Sequence, residues 1–348
     1  MLFLALQNSV PLSVMQCWQY SHFVMIFAPK SFFELFISIH PQYKYIIMIS
    51  QLSWTCKLFY AVVQYKRGEI MTYMLNSENM TLKGDKTPFL VYNKLEEIPF
   101  IRHAFSTRLG GVSTGVCESM NLAFGRGDSR ETVLENYRLM CESAGFEFES
   151  LCSSVQIHEA KVKVVTAEDR GHGILRERQW TSADAIITND KDVTLVTYYA
   201  DCTPLFFIDT KNHAIGLAHG GWRGTVERIA LNTIDEMKKN FGTNPEDLIC
   251  AVGPVIGRCC YEIDSACAEH FKALSEIDYK LVLDEKPNGK FMADLALTNK
   301  LLLLHAGVKE ENIVVSDLCT QCNSELLWSH RATKGQRGTM AAFMQILY

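Results

Sequence analysis

The residues best suited to chemistry gather in the stretch Tyr198 to Gly224, YYADCTPLFFIDTKNHAIGLAHGGWRG, which carries a cysteine and a histidine beside a Gly-Gly-Trp-Arg-Gly turn. Cys202 follows the apolar run LVTYYAD and precedes Pro204. Proline cannot donate to a central ladder, so the strand is expected to end here with Cys202 at its mouth. Free cysteine is among the most buried residue types, and an inert core thiol is the competing reading. His219 closes the small-residue strand IGLAHGG, where Gly220-Gly221 permits close backbone approach. Trp222-Arg223-Gly224 then leads into a helical segment. A helix N-terminus with Arg223 as a bidentate donor suits an anion such as phosphate; alternatively, Arg223 pairs with a carboxylate and the glycines only make a turn. His158, in Gln156-Ile157-His158, adds a third element just before another strand. His158, Cys202 and His219, each at a strand end, make a tridentate set for zinc with one position open, and an open position separates catalytic from structural zinc. Cys202 and His219 alone would instead suit the nucleophile and base of a cysteine hydrolase or deamidase.

Short runs rich in β-branched residues must position these groups. Val162–Val165, Ala185–Thr188, Val193–Tyr199, Pro204–Ile208 and Ala214–Ala218 are bounded by polar turns and predict strands. Gly224 to Phe241 places Val226, Ile229, Ala230, Ile234 and Met237 at helical spacing and stops at Gly242. Glu131–Ala144 and Asp294–Ala306 share that period. Strands and helices intermix with several strands in direct succession, so the expected fold is a mixed α+β sandwich, mixed β-sheets with flanking helices in a single catalytic domain, rather than an alternating barrel.

The chain has 348 residues, enough for a sizeable core, with 48% hydrophobic and 21% charged residues and a net charge of −5. That charge argues against broad phosphate-backbone binding, so no nucleic-acid partner is expected. Twelve cysteines diluted over this length show no framework spacing and predict free thiols and a cytoplasmic location. Cys319-Thr-Gln-Cys322 lacks the second pair of a zinc ribbon and is expected to be two semi-buried thiols near a strand end. Cys259 and Cys260 are expected to pack or to wall a pocket.

Residues 1–70 carry a net +3, leaving −8 for the remainder, and Met1 to Pro29 has no charge at all. Polar residues and Lys57 interrupt both apolar stretches, which makes poor bilayer spans, and no signal-peptide pattern is present. Lys66-Arg67-Gly68-Glu69-Ile70 before Met71 can be encoded by a purine-rich ribosome-binding sequence followed by a start codon. The expected start is therefore Met71, with residues 1–70 a non-native or disordered, hydrophobic extension with no fold of its own and 71–348 the functional domain. If the extension is genuine, a membrane association becomes the alternative.

TRLGGVS (Arg108, Gly110, Gly111, Ser113), MNLAFGRGD (Asn121, Asp128), QIHEA (His158), ADAIIT (Asp184), ADCTPLFFID (Asp201, Cys202), GLAHGGWRG (His219, Arg223), GPVIGRCCYE (Gly257, Cys260, Tyr261) and DLALTN (Asp294, Asn299) occur in this order. Together they resemble the laccase-domain family named for polyphenol oxidase and otherwise called purine nucleoside phosphorylase. The likeness spans about Pro99 to the C-terminus. Three departures stand out. The glycine that precedes the first motif in the family is missing, since His103-Ala104-Phe105-Ser106 stand there. Gly220 replaces the alanine of the family's His-Ala-Gly-Trp, and Glu159 replaces the glycine after the first ligand.

The resemblance implies that His158, Cys202 and His219 hold Zn2+. It implies phosphorolysis of adenosine, inosine and S-methyl-5'-thioadenosine to free base and ribose 1-phosphate, with adenosine deaminase activity. Purine nucleosides and phosphate are then the partners. Zinc would polarise the departing base or promote attack at C6 of adenine. Arg223 and Arg108 are candidates to hold phosphate, Asn121 to hydrogen-bond the nucleoside, and Asp201 to orient a ligand or act as base. Copper-dependent polyphenol oxidation, the family's older name, usually needs clustered His-x-His pairs, and none occurs in the chain, although copper competes for His/Cys/His ligands. Binding of nucleosides or cell-wall precursors without turnover is a further alternative.

Overall fold

The computed structural model describes Leu75 and Ser77–Tyr348 throughout, and before them only the backbone of short strands between Cys17 and Ile49. The chain divides into two units. In the first, Cys17–Tyr20, Phe23–Ile26, Glu34–Ile37 and Ile47–Ile49 form an antiparallel sheet in that order, and Ile39–His40 pairs with Tyr43–Lys44. The expected start at Met71 and the character of the extension before it lie outside the described residues.

The second unit, Ser77–Tyr348, is a mixed α+β sandwich of two six-stranded sheets. One sheet runs in the order Leu151–Ser153, Thr194–Tyr199, Met340–Ile346, Ile101–Ser106, Phe89–Tyr92, Met80–Lys83. The other runs Val162–Val164, Ala185–Thr188, Ala214–Gly220, Thr203–Asp209, Leu248–Val252, Ile313–Val315. Most pairs are antiparallel, with parallel pairing at the edges. Side chains alternate along each strand, so each sheet offers one face to its partner sheet and one to a helix layer. Phe206 meets Tyr92 edge-on between the sheets, and Tyr199 Oη donates to the Ala218 carbonyl (3.0 Å) across the same gap. On the outer faces, Val91, Ala104, Val196 and Phe343 pack against Val133, Tyr137 and Met140 of helix Arg130–Ala144. Ile187, Leu205 and Phe207 pack against Ile229, Ile234 and Met237 of helix Ile229–Phe241 and against Leu302 and Leu303 of helix Leu295–His305. Strands buried on both faces explain the near-continuous apolar runs TPLFFI and AIGLA.

One local expectation changes. The helix anticipated over Gly224–Phe241 is two helices, Trp222–Val226 and Ile229–Phe241, separated by Arg228 in the left-handed region (φ 65°). The αL conformation costs roughly 1–2 kcal/mol for a side-chain-bearing residue. Here it is offset by the Arg228 N–H donating to the Thr225 carbonyl (3.0 Å) and by the guanidinium pairing with Glu276. The strand expected over Pro204–Ile208 is Thr203–Asp209, which tolerates the proline near its start: it pairs with Leu248–Val252 only from Leu205 onward, and Pro204 contributes its carbonyl, which accepts the Gly253 N–H (2.7 Å). The preceding strand does end, at Tyr199, and Cys202 lies in the crossing between the two sheets.

Candidate metal centre

His158, Cys202 and His219 come together, with their ligand atoms within 4.8 Å of one another. The hairpin register supplies two of them. Thr203 lies opposite Gly220 and Pro204 opposite His219, which puts the residue before the first strand beside the last residues of the second. Gly221 is what lets them close: a Cβ there would stand 3.1 Å from His158 Cδ2, 3.2 Å from Cys202 Sγ and 3.4 Å from His219 Cε1. Burial is graded across the three, with His219 buried, Cys202 half-buried and His158 exposed, so the cluster is open on the His158 side.

Asp184, at the start of strand Ala185–Thr188 and fully buried, organises the set. Its Oδ1 accepts the His158 N–H (3.0 Å) and faces His219 Nδ1 (3.0 Å), and its Oδ2 accepts the N–H groups of Ile157 (3.1 Å) and Glu159 (3.0 Å). His219 Nδ1 is thereby assigned the proton, and Nε2 is left to bind a metal. Three successive amides wrapped on one carboxylate also hold His158 in a left-handed conformation (φ 64°). The loop's positive φ falls on His158 and not on Glu159, whose side chain turns outward to Lys161 (2.6 Å) and Ser182 (3.1 Å), so glycine is not needed there.

The electrostatics suit a deprotonated thiol. Burial alone would raise Cys202, but the His219 charge and hydrogen bonds with both histidines outweigh it and bring the thiol down to about 6. Burial would lower His219, yet Cys202 and Asp184 hold it up, at about 9. Asp184 itself is desolvated, which would raise it, but its hydrogen bond and attraction to His219 and its amide donors keep it below the ordinary carboxylate value. A thiolate and two imidazoles with a carboxylate behind one ring form a donor set that fits zinc or copper.

Of the other expected site residues, Asp201 stands next to Cys202 with φ 84°. Its Oδ1 accepts the Thr320 hydroxyl (2.6 Å), its Oδ2 accepts the Arg331 N–H (2.7 Å), and its carbonyl accepts the Ile256 N–H (3.0 Å). Arg223 is exposed and lies against the Trp222 ring (4.5 Å). Its helix, Trp222–Val226, is only five residues long, so the charge of Arg223 counts for more than the helix end. Arg108 stacks on Trp328 (3.8 Å) and donates to the Ser324 carbonyl (2.6 Å). Asn121 is fully buried: its amide nitrogen donates to Asp128 (2.7 Å) and the Ala123 carbonyl (3.1 Å), and its oxygen accepts from Ala123 (3.1 Å) and Thr339 (3.0 Å). Arg108 and Asn121 therefore brace the segment between Ser324 and Thr339.

That segment carries groups the sequence reasoning passed over. Arg337 is half-buried; burial and the neighbouring Arg126 lower it to about 10, while Cys202 and Asp201 act in the opposite sense, which places all four in one electrostatic neighbourhood. Its guanidinium donates to the Gly338 carbonyl (2.9 Å) and Thr339 Oγ1 (3.0 Å), and its Nε is buried with no partner. His330 shares this neighbourhood: burial and then Arg337 lower it, against the pull of Asp201. The sequence signal was the basic run SHRATKGQRG. A cavity of about 420 Å³, walled by Trp222, Tyr261, His270 and Arg331 among others, lies beside the centre. Trp222 directly follows Gly221, and the Arg331 amide is bound to Asp201. Among the described residues no helix is long and apolar enough to cross a membrane.

The fold and the site define a member of one family: residues 102–347 match the family described as multi-copper polyphenol oxidoreductase laccase, and the chain belongs to it. Its relatives include the purine nucleoside phosphorylase YlmD of Bacillus subtilis, 34% identical over 241 residues that cover 69% of this chain and 86% of that one. The protein of the same name from Geobacillus stearothermophilus is 35% identical over 243 residues, 69% of this chain and 88% of that one. The crystal structure of the latter superposes with a TM-score of 0.71 at 32% identity over 75% of this chain and 96% of that one. The Bacillus licheniformis hypothetical protein YfiH matches with the same TM-score, 0.71, at 29% identity over 75% of this chain and 97% of that one.

Proposed function

We propose that this chain is a zinc-dependent purine nucleoside phosphorylase that acts on adenosine, inosine and S-methyl-5'-thioadenosine, with adenosine deaminase activity at the same centre. The observation that carries the reading is the His158/Cys202/His219 cluster with Asp184 behind it, beside a cavity lined by Trp222 and Tyr261. The names of the YlmD relatives support the reaction class.

His158 Nε2 or Nδ1, Cys202 Sγ and His219 Nε2 would hold the ion, which supplies Lewis acidity toward the purine or toward a water at its C6. In phosphorolysis a phosphate oxygen bonds to C1' as the C1'–N9 bond breaks, and the purine nitrogen takes up a proton. Trp222 and Tyr261 offer aromatic faces for the base. Arg223 and Arg337 supply positive charge for the phosphate, and the unpartnered Arg337 Nε is a donor in want of an acceptor. Asp201, with both oxygens engaged, orients Cys202; Arg108 and Asn121 set the 324–339 segment that presents Arg337. Cytoplasmic placement accords with the free thiols of the described cysteines.

The test is the metal content of the purified full chain together with product analysis of adenosine incubated with and without phosphate. Adenine and ribose 1-phosphate formed only when phosphate is present, abolished by a chelator and by Cys202→Ala and restored by zinc, is the expected result. Restoration by copper alone would favour an oxidase and would be checked on phenols. A second reading rests on the Cys202–His219 pair acting as nucleophile and base: activity that survives the chelator but not iodoacetamide would overturn the zinc reading in its favour.

A further inference from the structure

Cys259, Cys260, Cys319 and Cys322 place their four sulfurs within 4.8 Å of one another, and Thr320 between two of them reaches Asp201, the neighbour of Cys202. The pair that Cys319-x-x-Cys322 lacks in sequence is supplied by the fold. Val255 and Cys319 run side by side in a parallel bridge, and the Thr320 N–H donates to the Val255 carbonyl (3.0 Å). Both cysteine pairs sit on tight turns: the N–H groups of Cys260 and Tyr261 return to the Gly257 carbonyl (2.9 Å each), and Asn323 binds the Cys319 carbonyl through its backbone (3.0 Å) and its amide (2.8 Å). Gly257 allows the turns to meet, since a Cβ there would stand 3.1 Å from Cys319 Cβ and 3.2 Å from Cys259 Sγ.

The spacing of the sulfurs identifies what they are arranged for. Cys322 Sγ is 3.6 Å from Cys259 Sγ and 3.5 Å from Cys260 Sγ. A disulfide requires about 2.05 Å. Four thiolates around a tetrahedral zinc at about 2.3 Å stand about 3.8 Å apart. We propose that these four cysteines form a second metal site, a structural tetrathiolate centre for zinc, independent of the His158/Cys202/His219 centre and of the reaction assigned to it. All four positions would be filled by protein ligands, which makes the centre closed and structural rather than catalytic. The Gly257 N–H donates to Cys319 Sγ (3.2 Å), the kind of hydrogen bond that steadies a thiolate ligand. Cys259 and Cys322 are exposed and give the ion a way in. Binding sends the thiol protons to solvent and changes no oxidation state.

The centre has a mechanical role. Thr320, between two of its ligands, donates to Asp201 Oδ1 (2.6 Å), and Ile256, just before Gly257, donates to the Asp201 carbonyl (3.0 Å). Both clamped turns therefore grip the residue that precedes Cys202.

The experiment measures zinc per chain on full-length protein purified anaerobically under reductant. Cys202→Ala, which disables only the first centre, is expected to retain about one zinc per chain and, after cobalt(II) exchange, the intense thiolate-to-cobalt charge transfer of four sulfurs. Cys319→Ser/Cys322→Ser is expected to lose that band. Should the double variant fail to fold, the Cys202→Ala protein decides alone. A folded Cys202→Ala chain with no metal and no cobalt spectrum overturns the proposal, as does a peptide map that links Cys322 to Cys259 or Cys260 by a disulfide in the reduced, anaerobic preparation.

Discussion

Replacing Asp184 by asparagine tests the organising role of one carboxylate. The buried oxygens receive four donors, two each: the His158 amide and the His219 ring on Oδ1, the Ile157 and Glu159 amides on Oδ2. An asparagine keeps one oxygen and turns the other into an NH2 donor. If the NH2 replaces Oδ2, two backbone N–H groups face a donor; if it replaces Oδ1, the His158 amide and the His219 ring do. Either way two hydrogen bonds to a charged group are lost, at about 1.5–3 kcal/mol each, so Asp184→Asn should destabilise the chain by about 3–6 kcal/mol. Because the same change releases the His219 ring and the His158 loop, metal affinity should fall about 10–100-fold. Urea denaturation followed by circular dichroism reads the first quantity, and competition with a chromophoric chelator reads the second. A loss of less than about 1 kcal/mol with wild-type metal affinity would refute the reasoning, because buried donors cannot lose their acceptor at no cost.

Gly221→Ala should weaken metal binding by at least about tenfold, since its methyl meets all three ligand side chains, whereas Gly220→Ala, whose methyl meets Thr203 and Thr225, should bind like the wild type; the same chelator competition compares them. Arg337→Met should raise the KM for phosphate about tenfold or more while changing the KM for nucleoside little, as steady-state kinetics with each substrate varied would show; equal effects on both would remove Arg337 from the phosphate site. His103 is buried and accepts the Tyr92 N–H (2.8 Å), and burial, then Lys83, push it down to about 3. The unfolded chain then binds the extra proton between pH 3 and the ordinary value near 6.5, so stability falls as pH drops through that window, by about 2 kcal/mol at pH 5. His103→Gln should flatten this part of the pH profile in denaturation curves at pH 7.5 and 5.0, and an unchanged slope would exclude His103 as its source.

Much of this was legible in the sequence because it depends on local pattern. Ala185–Thr188 was marked by its β-branched run and the helix Arg130–Ala144 by its apolar periodicity. The cluster of His158, Cys202 and His219 was legible as residue types beside glycines and turns, although His158 lies in a bend between Leu151–Ser153 and Val162–Val164 and not at a strand end. What escaped depends on distance. Asp184 looks like any strand-initiating acid until His158 and His219 are folded onto it. The Arg228 break needed Glu276, 48 residues away, to become affordable. Cys260 and Cys322 stand 62 residues apart, and no spacing rule joins an adjacent pair to a Cys-x-x-Cys over that span. Pro204 marked the break between two strands correctly, because its missing donor matters only where a neighbour needs one and the pairing with Leu248–Val252 begins a residue later.

Cys202 and His219 flank the open end of a single hairpin whose turn, Thr210–His213, lies at the other end. Side chains alternate with a period of two, so a slip of one residue between these strands would turn His219 away from Cys202 along with every core residue of Ala214–Gly220. The site thus inherits its alignment from the way each strand divides its side chains between the partner sheet and the helix layer, and the whole sandwich checks its accuracy. The turn is held by its own partners, with His213 stacked on Phe100 (4.3 Å) and Lys211 paired with Asp247 (2.8 Å), so both ends of the hairpin are anchored.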